Sequence, residues 1–211
     1  MQISELRESL QRRLLDFAWA EWAQMGVLAQ PTRTSPWAAD PEALLLLTFE
    51  LGRQEPRLFD ETLDWLVTNG RLVSQQRLRN LCVDERERSL ADAALAWAGQ
   101  HQRALRAAGA RAPLERPSSQ ELFPGMPAGD RRDPVFAAHR WSKAPTEPSG
   151  KSRPPRLDLP INFAFRLRRL FGTGSRAEIV RFLVTSRVPG AQAEVVRRAA
   201  GFAKRNVLDT A

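Results

Sequence analysis

A chain of 211 residues with 43% apolar and 27% charged side chains can bury a sizeable core, and its length allows one or two globular domains. No apolar run approaches the roughly 20 residues of a membrane span, and the N-terminus (MQISELRESLQRR) mixes acidic with basic residues and lacks an apolar h-region, so neither a transmembrane helix nor a secretory signal is expected. The net charge of +8 is unevenly spread: residues 151–211 carry thirteen Lys/Arg against four Asp/Glu, and residues 1–150 carry nineteen against twenty. A basic end on a charge-balanced body is the electrostatic footprint of a polyanion binder.

In chain order, residues 4–25 predict a first helix, capped by Ser4 and stopped at Gly26, with Ile3, Leu6, Leu10, Leu14, Phe17 and Ala18 at three- and four-residue spacing. Gln30 to Pro36 reads as a loop. Asp40 at the N-cap, Pro41 at the first helical position and Glu42 in the first turn open a second helix, apolar all round from Leu44 to Leu47 and ending near Gly52. Pro56 opens a third, with Phe59, Leu63, Leu66 and Val67 as its buried stripe and Asn69-Gly70 as a left-handed cap. Arg71 to Val73 is a candidate strand, and Ser74 caps a helix carrying Leu78, Leu81 and Cys82. Asp84 to Ala108 predicts a further helix with Leu90, Ala94, Trp97, Ala98, His101 and Leu105 on one face. Residues 1–110 therefore predict an all-helical unit suited to dimerisation, partner docking or effector sensing.

Residues 111–160 hold ten of the fifteen prolines and exclude a long helix or a central strand. They form either a flexible linker or an extended strap, and Leu122, Phe123, Val135, Phe136 and Trp141 are the side chains by which a strap would dock. Beyond Pro160, Phe163, Leu167, Leu170 and Phe171 share a predicted helix face, with Arg166 and Arg169 away from it, and Gly172-Thr173-Gly174 breaks the helix.

Three short helices are predicted next. Ser175-Arg176-Ala177-Glu178 is a capping box opening the first, Val188-Pro189-Gly190 is a turn, Ala191 to Ala200 is the second, and Ala203 to Ala211 is the third, after a tight turn at Gly201-Phe202. Three helices with glycine between the last two make a helix-turn-helix core. Val196, Ala200, Phe202, Val207 and Thr210 are the expected inward positions. Lys204, Arg205 and Asn206 then project outward at the start of the third helix, where Arg and Lys suit guanine and Asn suits adenine in the major groove. Ser175, Arg176, Arg197 and Arg198 are the expected phosphate contacts, Ser175 through the amide groups of its helix N-terminus.

In "RAEIVRFLVTS…AEVVRRAAGFAKRNVLDTA" residues 161–211 resemble the winged helix-turn-helix DNA-binding domains of bacterial transcriptional regulators. The residue pattern predicts a predominantly all-α protein with a helical domain at 1–110 and a linker or strap at 111–160, and the resemblance implies a DNA-binding domain at 161–211, whose two-stranded wing would follow Ala211. It also implies double-stranded DNA as partner and a dimeric, repressor-like regulator.

Other signals carry less. Gly150-Lys151-Ser152 ends like a phosphate-binding loop but has Pro145 where the loop needs glycine. Cys82, His101 and His139 lack paired spacing, so no metal, cofactor or nucleophilic pair is expected, and the single cysteine suits a reducing cytoplasm. Asp60, Glu61 and Asp64 are explained by the helix dipole, and the tryptophans by core packing, an exposed interaction surface or an effector pocket. No catalytic constellation emerges and an enzyme is not expected. The competing function is an antitoxin-like or adaptor module whose basic end docks an acidic protein.

Overall fold

A computed structural model describes residues 3–30, 33–105, 119–186 and 192–203. They form a predominantly helical protein of the all-α class. Helices α1 (Ile3–Met25), α2 (Pro41–Leu51), α3 (Pro56–Asn69), α4 (Gln75–Leu81) and α5 (Glu85–His101) build the body. A strap crosses it with β1 (Gln120–Glu121), α6 (Pro134–Ala138) and β2 (Trp141–Ser142), and α7 (Phe163–Phe171), α8 (Ser175–Thr185) and α9 (Ala193–Ala200) complete the chain order.

Side-chain caps, those of Asp40 and Ser74 legible in the sequence, organise the body. Asp40 accepts from the Ala43 amide, Ser74 from that of Arg77 and Asp84 from that of Glu87, each satisfying an amide that its helix cannot. The core is rich in aromatic side chains. Trp22 and Trp65 meet edge to face with ring centroids 5.0 Å apart, and their indole N–H groups donate to Thr48 Oγ1 and to the Met25 carbonyl, both at 2.7 Å. Phe59 lies between Phe49, Phe123 and Phe136. Trp22 and Trp65 therefore bring their large apolar area without an orphaned polar atom, whereas the buried Trp141 indole N–H has no partner.

Two local expectations change. Gly70 is not left-handed but starts a 3-10 turn, Gly70–Leu72, in place of the expected strand. Its glycine serves close packing: a Cβ there would lie 2.4 Å from Leu105 Cδ1. Leu105 reaches that spot because α5 stops at His101, where the Gln102 backbone turns extended and its side-chain amide donates to the Val67 carbonyl. The helix expected to run to Ala108 is thus corrected to one that ends at His101. Ser4 falls within α1 rather than before it.

The part of 111–160 that is described, 119–160, is a docked strap. Leu122, Phe123, Phe136 and Trp141 are buried in the same core as α1 to α5, with Val135 packed partly against it. β1 and β2 pair in parallel, Gln120 with Trp141 and Glu121 with Ser142. The carboxylate of Asp64 accepts from the Gly150 and Ser152 amides at 2.7 and 3.0 Å. Lys143, 2% exposed, forms an ion pair with Asp60 at 3.0 Å between the Phe123 and Phe136 rings. The expected dipole role of the acidic cluster is thus corrected: it lies beyond the first turn of α3, and Asp60 and Asp64 fasten the strap. In Gly150-Lys151-Ser152 the first and third amides thus hold a carboxylate of the chain itself.

Among the described residues no helix is long and apolar enough to cross a membrane.

Candidate functional site

The basic end is joined to the body by ion pairs as well as by packing. Helix α7 follows a 3-10 turn, Pro160–Asn162, and buries Ala164, Phe165, Leu167 and Arg168, with Phe165 5.9 Å from the Trp65 ring. The expected face of Phe163, Leu167, Leu170 and Phe171 is corrected: Leu170 and Phe171 are exposed. Arg168 takes the inner position because carboxylates wait for it there.

Those carboxylates come from α2 and α8. Arg168 donates to both oxygens of Glu42 (2.7 and 2.6 Å), to Glu178 Oε1 (3.0 and 2.6 Å) and to the Leu72 carbonyl (2.6 Å). Arg77 of α4 grips Asp40 with two bonds of 2.6 Å and Glu42 with one of 2.8 Å. Arg181 bridges Glu178 and Asp40 at 2.9 and 3.1 Å. Three guanidinium groups and three carboxylates thus interlock at the junction of α2, α4, α7 and α8, with Glu42, Arg77, Arg168 and Glu178 almost wholly out of solvent. Forked, charge-assisted bonds of this kind fix orientation as well as contact.

Burial alone would raise the pKa values of Asp40 and Glu178. The hydrogen bonds and charge of Arg77, with the Arg181 charge and the Ala43 amide, instead hold Asp40 down at about 2. Charges from Arg168, Arg77 and Arg181 lower Glu178 against its burial. Burial opposes the charge on Arg77 and Arg168, yet their carboxylate partners raise both above the ordinary guanidinium value. These four groups are therefore ionised at neutral pH.

This lattice corrects the expected capping box. Gly174 is the N-cap of α8 and Ser175 its first residue, while the Glu178 side chain turns inward to the arginines. Arg176 beside Ser175 is exposed.

Arg77 also receives α9. Its Nε and Nη2 donate to the Ala200 and Ala199 carbonyls at 2.7 and 3.1 Å, and Asn80 Nδ2 donates to the Gly201 carbonyl at 3.0 Å. A cation thus meets the negative end of the α9 dipole and satisfies carbonyls that the helix leaves unpaired. Gly201 turns left-handed with φ +70°, and a Cβ there would sit 3.1 Å from Arg77 Cγ. Ile179, Val196, Ala200 and Phe202 form a small apolar cluster between α8 and α9, with Phe182 against it. Of the expected inward positions, Val196, Ala200 and Phe202 are together, and Val207 and Thr210 lie outside the described residues.

Lys204, Arg205 and Asn206, expected to read bases, lie outside the described residues, as do the turn at 188–190 and the third helix beyond Ala203. Arg197 and Arg198 are on α9, both tied to Glu194: Arg197 by bonds of 2.8 and 2.6 Å, Arg198 by one of 3.1 Å. A phosphate must compete with that carboxylate, whose pKa the two arginines hold down at about 2.

Sequence reasoning found Asp40 and Glu42 as helix-start residues but missed Arg77 and Arg168. The available signal was a lone arginine on an otherwise apolar helix face, as at Arg168 between Phe165 and Phe171. Elsewhere, Cys82 donates to the Leu78 carbonyl at 3.3 Å, and burial, with the charge of Glu87, pushes its thiol up to about 11, so it is uncharged at neutral pH. Among the described residues no group of three or more His, Cys, Asp or Glu is placed to hold a metal ion. Comparison with known proteins returns no matching family model, curated protein or solved structure, so the geometry carries the functional reading.

Proposed function

We propose that this chain is a sequence-specific DNA-binding transcriptional regulator, a dimeric repressor with no enzymatic activity. The observation that carries the reading is the left-handed turn at Gly201, which ends α9 and leads into Lys204-Arg205-Asn206. That turn is fixed from behind by Arg77 and Asn80, which donate to the Ala200 and Gly201 carbonyls. Arg176, Arg197 and Arg198 contact phosphates on either side, and Lys204, Arg205 and Asn206 read base edges. The protein works in the cytoplasm, where the Cys82 thiol stays reduced.

A mobility-shift titration against the DNA upstream of its own gene, at two salt concentrations, tests this. The expected result is sequence preference with a steep loss of affinity at the higher salt. Arg205→Ala should weaken specific binding by about 1–3 kcal/mol and leave the melting curve in place. Equal affinity for random DNA, or no effect of Arg205→Ala, would remove the base-reading role.

A second reading has one observation in its favour. Leu170, Phe171, Leu183, Val184 and Val195 are exposed on the same three helices as the arginines. Apolar side chains interleaved with basic ones suit an acidic protein better than a phosphate backbone, as in an antitoxin-like or adaptor module. That reading predicts negligible duplex binding at physiological salt.

A further inference from the structure

A cleft opens where the second half of α1 faces the start of α2, with residues 35–39 as its third wall. It encloses about 290 Å³, near the lower end of small-molecule pockets, and Phe17, Trp37, Leu44 and Leu47 are its large apolar side chains. The third wall is anchored at both ends: the Ser35 amide donates to Gln24 Oε1 at 2.8 Å and the Ala39 amide to the Ile161 carbonyl at 3.0 Å. Between those anchors stands Trp37, 73% exposed. Of the six tryptophans it alone is exposed, the others being buried or half-buried, so core packing does not account for it.

Among the described residues, the charged side chains that line the cleft are Glu21 and Asp40, both carboxylates. Their partners differ. Asp40 is gripped from behind by Arg77 and Arg181, neither of which lines the cleft. Glu21 is 4% exposed, yet its ion-pair partner is Arg33 at 3.0 Å, whose own side chain is half in solvent. Burial pushes the Glu21 carboxyl above the usual carboxylate value, against the charge and hydrogen bond of Arg33 and the hydrogen bond of Ser35. A buried carboxylate so thinly compensated gains from a better-placed cation. The Arg33 guanidinium also lies 5.1 Å from the Phe17 ring centroid. The chain itself thus displays the pairing that the cleft mouth favours, a cation between a buried carboxylate and an aromatic face.

We propose that this cleft binds a small organic cation with an apolar body, an arylalkyl ammonium in kind. Its charged head takes the place of the Arg33 guanidinium on Glu21, and its body lies among Phe17, Trp37, Leu44 and Leu47. Arg33 gives up little on leaving, since its guanidinium is already half hydrated. A head group that arrives with an apolar body is shielded from water together with the carboxylate that it meets, which strengthens the pair. The site stands without the regulator reading, and its test needs no DNA.

The test is calorimetric titration of the whole chain with three probes matched in body: phenethylamine, 2-phenylethanol and 3-phenylpropionate. Phenethylamine should bind at a single site with a dissociation constant of about 0.1–1 mM, and the neutral and anionic probes at least about 10-fold more weakly. Trp37→Ala, at an exposed position, should weaken phenethylamine at least about 3-fold with the melting curve in place. Glu21→Gln should weaken it by more, its melting curve showing that the fold is kept. Arg33→Ala carries the sharpest expectation: removal of the resident cation should tighten phenethylamine a few-fold, whereas a site for an anion would lose affinity. No saturable binding of phenethylamine up to about 10 mM, equal affinity for either of the other probes, indifference to Trp37→Ala, or weaker binding in Arg33→Ala would each overturn the proposal.

Discussion

Where α5 lies on α3, the joint is made of leucine, alanine and tryptophan; where α7 and α8 meet α2 and α4, six charged side chains share the joint with only a few apolar ones. Apolar joints accept many packings of about the right volume, and their energy follows the area removed from water. Forked guanidinium–carboxylate bonds recover much of their desolvation cost only in one geometry. The body is thus built for stability, and the basic end is held for orientation. That division suits a part that must present its surface at a set angle.

The sharpest way to break the comparison is to remove its shared carboxylate. Glu42→Ala strips Arg77 and Arg168 of a common partner and the Ser74 amide of its acceptor, and should cost about 3–5 kcal/mol in denaturant unfolding. A cost below 1 kcal/mol would mean that the arginines re-pair or hydrate, and that packing alone holds the end in place.

Acid offers a second route. Asp40 and Glu178 have folded pKa values below their unfolded ones, so their stabilisation is fully present above the unfolded values and is lost as pH falls through the folded ones. For Asp40 this means a loss on the order of 2 kcal/mol between about pH 4 and pH 2. All six tryptophans lie between positions 19 and 141, outside α7 to α9. Helical circular dichroism should therefore fall before tryptophan fluorescence shifts. Coincident transitions would show that the two regions unfold as one.

The smallest expected effect sharpens the functional side. Glu194→Gln releases Arg197 and Arg198 and should raise DNA affinity a few-fold, with a steeper salt dependence, while the melting curve stays in place. Unchanged affinity would place the α9 arginines away from the duplex.

Much of the body was legible because its signals are local. Asp40 and Ser74 cap their helices as their positions before apolar periodicity indicate, and Pro41 and Pro56 open helices where a missing N–H costs nothing. What misled were residues whose role depends on distant partners. Ser175 and Glu178 have capping-box spacing, yet Arg168 and Arg181 outbid the backbone amide for the Glu178 carboxylate. Gly70 follows asparagine like a left-handed cap but is small for the sake of Leu105, 35 positions away. The face of α7 was misassigned because periodicity scores arginine as solvent-facing, and an arginine met by two buried carboxylates breaks that rule. At the candidate site, the Gly201 turn and the inward Val196, Ala200 and Phe202 were readable, whereas the lattice that orients them was not.

The short parallel pairing of β1 with β2 has a practical corollary. Between them the chain loops out through Arg131 and Arg132, both exposed, while Leu122 and Phe123 on one side and Phe136 and Trp141 on the other are buried. Trypsin cleaving at those arginines would yield two fragments that co-elute in native buffer and separate only in denaturant, so the two halves of the polypeptide could be expressed apart and reassembled.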